Sequence, residues 1–381
     1  MFYLQFNYYN SESYIYRMKN LKIYLLILFI STMTIGCNKK VKHFNGEIIL
    51  VNDLKQSDTL IGKKINFDGA YFGMITVFDS VIFFFHPRLP DFQYYCFNIK
   101  TGKHVANYFP NGNGQGEFHS ITPIIQKYEE DGNQKSVFVA INESKAGVFN
   151  ITKSIEQRKT VIDTLFPFKW RENFVKPFLF VFKYDDSTFI AQQGVARINN
   201  REFNYTLPQY VKINRNTNKI MNKYIIYKNP IINSKAGYSN EDLFQSYDII
   251  SPDRSKVAIG MIMMAQINIL DLKTKKIIGV RISGTPDFEY LERNDEELRI
   301  FYNHLAADNR YIYALYVNKK YSELKESVYS HTINVFDWNG NFIHKLYLNN
   351  AVDYIDVDSK NRLLYGINLS SEEVYQYKLA F

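Results

Sequence analysis

The sequence predicts an all-β fold: a six-bladed β-propeller of four-stranded antiparallel blades, closed by an N-terminal strand. Three observations carry this expectation. A strand–turn–strand unit recurs along the chain, a second hairpin precedes each copy, and no amphipathic helix of useful length falls between Ile48 and Phe381.

The recurring unit is an apolar strand that ends in Asn or Asp, a short turn rich in Thr, Gly, Asn and Lys, and a further strand. Its copies are Phe97-Asn98-Ile99-Lys100-Thr101-Gly102-Lys103, Phe149-Asn150-Ile151-Thr152-Lys153, Ile213-Asn214-Arg215-Asn216-Thr217-Asn218-Lys219, Leu270-Asp271-Leu272-Lys273-Thr274-Lys275 and Phe336-Asp337-Trp338-Asn339-Gly340. Short side-chain oxygens bond nearby backbone, and Asn, Asp and Gly tolerate positive φ, so each copy reads as a β-hairpin turn. A sixth copy spans Glu373 to Leu379. The copies recur at intervals of roughly forty to seventy residues, the length of a four-stranded blade with variable loops.

The preceding hairpins place a polar turn between two apolar strands. They read at Val77–Phe83, Tyr128–Val139, Lys183–Phe189, Ser251–Ile259, Ala307–Tyr313 and Asp356–Tyr365. The last copy stops at Phe381 without an outer strand, which would leave a bare sheet edge. Gly46–Val51 is expected to fill that gap by pairing with Val374–Leu379 and so to close the ring.

Composition fits a folded β protein. Of 381 residues, 46% are hydrophobic and 22% charged, which excludes a disordered chain. Tyr and Phe number 30 each, as strands that favour aromatic residues require. The net charge of +8 is scattered along solvent-type positions, with no basic stripe, and nucleic acid is not expected as a partner. The two cysteines are Cys37 and Cys96. Cys96, inside Tyr94-Tyr95-Cys96-Phe97, reads as a small buried hydrophobe.

The N-terminal region reads as an address. Met18-Lys19-Asn20-Leu21-Lys22 is positive, Ile23–Ile35 is apolar, and Gly36-Cys37 follows. The apolar run suits a signal-peptide core better than a membrane span. Thr34-Ile35-Gly36-Cys37 resembles a lipobox, with Thr34 in place of the usual Leu, which makes Cys37 the expected lipidation site. Residues 1–17 read as an upstream extension from a wrong start, 18–36 as a lipoprotein signal peptide, 37–45 as a tether and 46–381 as the propeller. Lys39, Lys40 and Lys42 would lie near anionic head groups. With no acidic export stretch after the cysteine, the expected location is the periplasmic face of the outer membrane.

The Ser-Pro-Asp hairpin at Ser251, followed by Ile267-Asn268-Ile269-Leu270-Asp271-Leu272, resembles the blades of TolB-type propellers. Gly112-Asn113-Gly114-Gln115-Gly116-Glu117-Phe118 resembles the Gly-x-Gly-Pro-Gly-Glu-Phe signature of Bacteroidetes TolB-like six-bladed propeller lipoproteins, with Gln115 where Pro is usual. The resemblance covers about residues 44–381. It implies a propeller and a lipid anchor, and no settled activity.

Catalytic motifs are hard to find. The glycines from Gly112 lack a following Gly-Lys-Ser/Thr and a helix, so they read as a tight inter-blade loop in which Glu117 bonds backbone N–H groups. The histidines share no ligand spacing, there is no Gly-x-Ser-x-Gly elbow, and most carboxylates fall in turns. No cofactor or metal is expected. Loops that enter the first strands and loops between second and third strands gather at one face of a propeller. That mapping places Arg88, Glu117, Arg171, Arg197 and His304 there, with insertions at Gln192–Pro208 and Lys319–His331 and with Phe118, Phe203, Tyr205 and Tyr321 interspersed. They predict a cationic and aromatic mouth for an anionic or peptide-like ligand. The expected function is a membrane-anchored envelope scaffold with a protein or peptide partner. The alternatives are a propeller lyase or hydrolase with its site at the channel mouth, and a carbohydrate-binding sensor.

Overall fold

The computed structural model describes residues 42–55, 58–69, 73–86, 89–170, 180–193, 207, 209–229, 231, 240–293, 297–324 and 328–381. Six sheets account for its strands. Their first strands are Met74–Phe78, Tyr128–Glu130, Val181–Lys183, Ser246–Ile250, Arg299–Ala307 and Tyr354–Asp358, and each opens a four-stranded antiparallel blade. First strands of successive blades touch one another (blade 4 to 5, 5 to 6 and 6 to 1), so they line the axis of a ring.

The recurrent turns form because their Asx side chains take over backbone work. Asn98 Oδ1 accepts from the N–H groups of Lys100 and Thr101, both at 3.0 Å. Asn214 does the same for Asn216 and Thr217, and Asp271 for Lys273 and Thr274. One residue per turn then adopts positive φ: Gly102, Asn218 and Lys275. Gly102 is forced to be glycine twice over, since a Cβ there would also meet the carbonyl oxygen of Asn66 at 2.1 Å.

The copy at Asn150 departs from the hairpin expectation. Ile151–Gln157 is a helix, α1, with Asn150 as N-cap accepting from the Lys153 N–H at 3.0 Å. Ser154 Oγ donates to Asn150 O at 2.6 Å and accepts from the Val161 N–H at 2.9 Å. The same Asx side chain that tightens a turn caps a helix when the residues after it supply a buried Ile151 and Ser154.

The closing strand is also not the one expected. β1 (Glu47–Val51) pairs in parallel with Ile277–Ile282, as a fifth strand on the outer edge of blade 4. β2 (Asp58–Leu60) does likewise on Phe342–Val352 of blade 5. β3 (Lys63–Ile65) pairs antiparallel with Glu373–Lys378 and completes blade 6. Closure by an N-terminal strand holds, but through Lys63–Ile65 rather than Gly46–Val51. The chain first laces two finished blades, and only then reaches the edge that lacks a strand.

The body also begins earlier than residue 46. His43 and Phe44 are buried, and Asn45 N–H donates to Ile226 O at 2.9 Å. Phe44 sits 6.3 Å, ring to ring, from both Tyr227 and Phe288.

Each blade interface carries a polar tie near the axis. Thr76 Oγ1 donates to Ile124 O at 3.1 Å, and Gln126 Nε2 donates to Lys183 O at 2.8 Å. Gln192 Nε2 donates to Asp248 Oδ2 at 3.1 Å, and Phe301 N–H to Ile262 O at 2.7 Å. Asn303 Nδ2 donates to Asp353 O at 3.2 Å, and Val77 N–H to Asp356 Oδ2 at 2.6 Å. Between blades 2 and 3, Glu130 joins Lys183 and Lys135. Burial works against the Glu130 charge, yet hydrogen bonds from both lysines hold its carboxyl below the usual range.

Phe44→Ala is expected to cost about 3–5 kcal/mol, because it empties a fully buried aromatic site. Leu50→Ala, on β1 but 59% exposed, should stay within about 0.5 kcal/mol. Urea unfolding of the two variants separates burial of the lacing segment from its mere presence.

Candidate functional site

At one mouth of the ring the turns between first and second strands converge. They enclose a cavity of about 490 Å³ lined by Val77, Ile249, Ala307 and Val357 deeper in and by charged turn residues at the rim. That volume falls in the range of ligand pockets. The rim carries Asp79, Glu129, Asp253, Asp308 and Asp358 against Lys127 and Lys360. This mouth is therefore acidic in a chain whose net charge is +8.

Most of these carboxylates also build their own turns. Asp308 accepts from the N–H groups of Arg310 and Tyr311, both at 2.7 Å, and from the Tyr313 hydroxyl at 3.0 Å. Asp358 accepts from the Asn361 N–H at 3.1 Å and from its Nδ2 at 2.7 Å. Asp253 is held by Ser251 and Ser255; burial opposes its charge, and these hydrogen bonds keep its carboxyl below the usual range. Asp79 differs: it adopts a φ of 47° and, among the described residues, pairs loosely with the exposed Lys360 at 3.9 Å. Lys127, from the segment entering blade 2, reaches past blade 1 to Asp356 of blade 6 at 2.7 Å and to Val357 O at 3.1 Å.

Sequence reasoning set these aspartates aside as turn residues. They are turn residues, and one falls in the first hairpin of blades 1, 4, 5 and 6. That recurrence in register was the available signal, because residues at the same place in every blade share one mouth.

The five expected binding residues fare unequally. Arg88, Arg171 and Arg197 lie outside the described residues, as do Cys37, Phe203 and Tyr205. Glu117 lies in the loop from blade 1 to blade 2. Its carboxylate accepts from the Gly114 N–H at 2.8 Å, so it folds back on its own glycine loop. Phe118, expected at the mouth, is buried against Phe109 and Phe138 instead, since the loop turns it into the seam of blades 1 and 2. Tyr321 is 51% exposed.

His304 was expected on a loop and stands instead within the first strand of blade 5, Arg299–Ala307. The strand runs longer than its copies in the other blades and carries the residue inward. Its ring lies between Tyr247 and Tyr354, from the first strands of blades 4 and 6, at 5.8 and 5.2 Å. It is buried, and its Nδ1 has no hydrogen-bond partner among the described residues. Burial alone pushes its pKa down to about 4. The Tyr247 phenol is pushed up, by burial first and then by Tyr354. Among the described residues, no group of three or more His, Cys, Asp or Glu side chains is placed to hold a metal ion.

Comparison with known proteins fits this geometry. A family profile described as TolB-like 6-blade propeller-like matches residues 55–360. The chain belongs to this TolB-like propeller family. No curated protein matches the sequence. Among solved structures, a member of the DUF4221 family from Bacteroides vulgatus is similar at 12% identity and a TM-score of 0.52, over 87% of this chain and 97% of that one. A putative exported protein from Bacteroides fragilis is similar at 12% identity and a TM-score of 0.48, over 87% and 98%. TolB from Acinetobacter baumannii aligns at 13% identity and a TM-score of 0.36, over 82% and 65%. At 12% identity the first of these likenesses speaks for the fold alone.

In this TolB-like propeller His304 predicts an acid sensitivity. Folded, the imidazole stays neutral to about pH 4, whereas in the unfolded chain it takes a proton near pH 6.5. Between those values the unfolded state binds more protons, so stability falls as pH drops from 6.5 to 4. Above 6.5 the residue adds no pH dependence. The full difference is about 3 kcal/mol. His304→Phe should remove about that much of the acid loss between pH 7.5 and pH 4, read from urea midpoints at both.

Proposed function

We propose that this protein is a lipid-anchored envelope protein whose propeller is a binding module for a protein or peptide partner. The observation that carries the reading is the acidic funnel at the turn-bearing mouth. It is concave, of ligand-pocket volume, walled by rigid hairpins and rimmed by carboxylates. Rigid scaffolds commonly present function on such convergent turns. An exposed Asp79 and the rim around it favour a peptide segment that carries Lys or Arg, because opposite charge steers encounter and fixes register. The occupied state of Asp253, Asp308 and Asp358 argues for recognition rather than proton transfer. The lipid anchor at Cys37 and the periplasmic face of the outer membrane belong to the same proposal, and rest on the lipobox-like Thr34–Cys37 and the basic residues after it.

Two measurements test it. Fatty-acid labelling in cells should mark the wild-type chain and not Cys37→Ala. Fluorescence anisotropy should show a hexalysine peptide binding and a hexaglutamate peptide not binding. Asp79→Lys with Glu129→Lys should weaken hexalysine by about tenfold or more, which corresponds to about 1.4 kcal/mol. Equal binding of both peptides, or no change in the double variant, would remove the funnel from the proposal.

A further inference from the structure

We infer that the outer rim of blades 3 and 4, around the point where the chain enters the body at Lys42, lies against an anionic phospholipid bilayer. The inference rests on Cys37 being lipidated, and adds to that reading which side of the propeller faces the membrane.

The outermost strand of blade 3, Ile220–Tyr224, runs on to Tyr227 with alternating exposure. Tyr224, Ile226 and Tyr227 are buried, while Lys219, Met221, Lys223 and Ile225 stand outward in one row. Successive strand residues point to opposite faces, so an outward row should be polar. Here Met221 is 60% exposed and Ile225 51%. Lysine and large apolar side chains therefore alternate along a solvent-facing edge. Lys275 Nζ donates to Asn222 Oδ1 at 3.2 Å, so the exposed turn of Lys273, Lys275 and Lys276 flanks the same edge strand from its opposite, blade 4 face.

The entering segment lies against the far end of this row. Asn45 Nδ2 donates to Ile225 O at 2.8 Å, Lys228 N–H to His43 O at 3.1 Å, and Asn229 Nδ2 to Lys42 O at 2.6 Å. In the sequence Lys42 follows Cys37 by five residues, and an extended chain covers at most about 3.6 Å per residue, or roughly 18 Å. A bilayer that holds an acyl group on Cys37 must then pass within that distance of Lys42. The rim nearest Lys42 is the basic and apolar one. Among the described residues, the acidic groups near it include Glu292, paired with Lys42 at 2.6 Å, Glu289, paired with Arg293 at 3.2 Å, Asp287, 3.9 Å from Arg281, and Asp271, which accepts from its own turn. Glu47 stands exposed on β1. Lysines at an anionic surface and apolar side chains at the head-group boundary reinforce one another, as in interfacial anchors.

The test uses the full lipidated chain in vesicles of phosphatidylethanolamine and phosphatidylglycerol, in phosphatidylcholine vesicles, and in detergent. Amine-reactive labelling is read by mass spectrometry at Lys223 and Lys275, with Lys100 and Lys103 of blade 1 as controls. Labelling of the first pair should fall at least about threefold in the anionic vesicles alone and recover at about 0.5 M salt, where charge screening is short-ranged. A triple variant, Met221→Glu, Lys223→Glu and Ile225→Glu, should lose the protection at Lys275 while still floating with the vesicles through its lipid. Equal labelling in anionic vesicles and detergent, with the chain still afloat, overturns this inference and leaves the anchor standing. Protection in phosphatidylcholine as well, or protection that grows with protein concentration in detergent, also overturns it, the latter in favour of a second copy. A wild-type chain that neither floats nor takes up fatty acid defeats the anchor reading and this one with it.

Discussion

Everything in this structure depends on how the sixth blade obtains its fourth strand. A ring of radial sheets has a seam where its two ends meet, and here that seam is sealed at two radii. Outside, β3 pairs with the third strand of blade 6 over only three residues: Ile65, Lys64 and Lys63 against Val374, Tyr375 and Gln376. Inside, Asp356 of blade 6 receives the Val77 N–H of blade 1 and the ammonium of Lys127 from blade 2. So short a ladder would be marginal alone. It is held by its neighbours: the Lys64–Glu373 pair at 2.6 Å, the Gly62 N–H on Asn349 at 2.8 Å, and β2 just before it on blade 5.

The lacing of blades 4 and 5 follows from the same constraint. To reach blade 6 from Phe44, packed at the seam of blades 3 and 4, the chain must cross two outer edges. Crossing them as parallel fifth strands satisfies its own backbone groups and covers edges that would otherwise be free to pair with another chain. Among the described residues, blades 1, 2 and 3 receive no such cover. The chain therefore reaches the ring beside the outer strand of blade 3, where the exposed row of Lys219, Met221, Lys223 and Ile225 begins. Edge cover and entry point are two results of one path.

What the sequence made legible is what is local. Asx turns, apolar strands and blade count follow from contacts within a few residues, and they were readable wherever Asn98, Asn214, Asp271 and Asp337 stand. Two failures share a different cause. Asn150 looks like its counterparts until Ile151 and Ser154 find a buried site against blade 2, and that site is a tertiary fact. Gly46–Val51 and Lys63–Ile65 are both short strands near the N-terminus. Choosing between them needed the distance around the ring, which no local pattern encodes. His304 was misplaced for a similar reason: the first strand of blade 5 is longer than its copies, so an offset counted from the turns put the residue outside it.

The charge distribution divides the surface in a way the total conceals. Carboxylates recur in the first hairpin of all six blades (Asp79, Asp131, Asp185, Asp253, Asp308 and Asp358) because a tight turn between axial strands needs an acceptor for its own N–H groups. That local need, repeated around a ring, sums to a negative mouth. Lysines recur in the second hairpin, at Lys100, Lys103, Lys219, Lys273, Lys275 and Lys276, where those turns lie at larger radius and stand in solvent. The same two turn chemistries, placed at two radii by the blade, give an acidic axis and a basic rim.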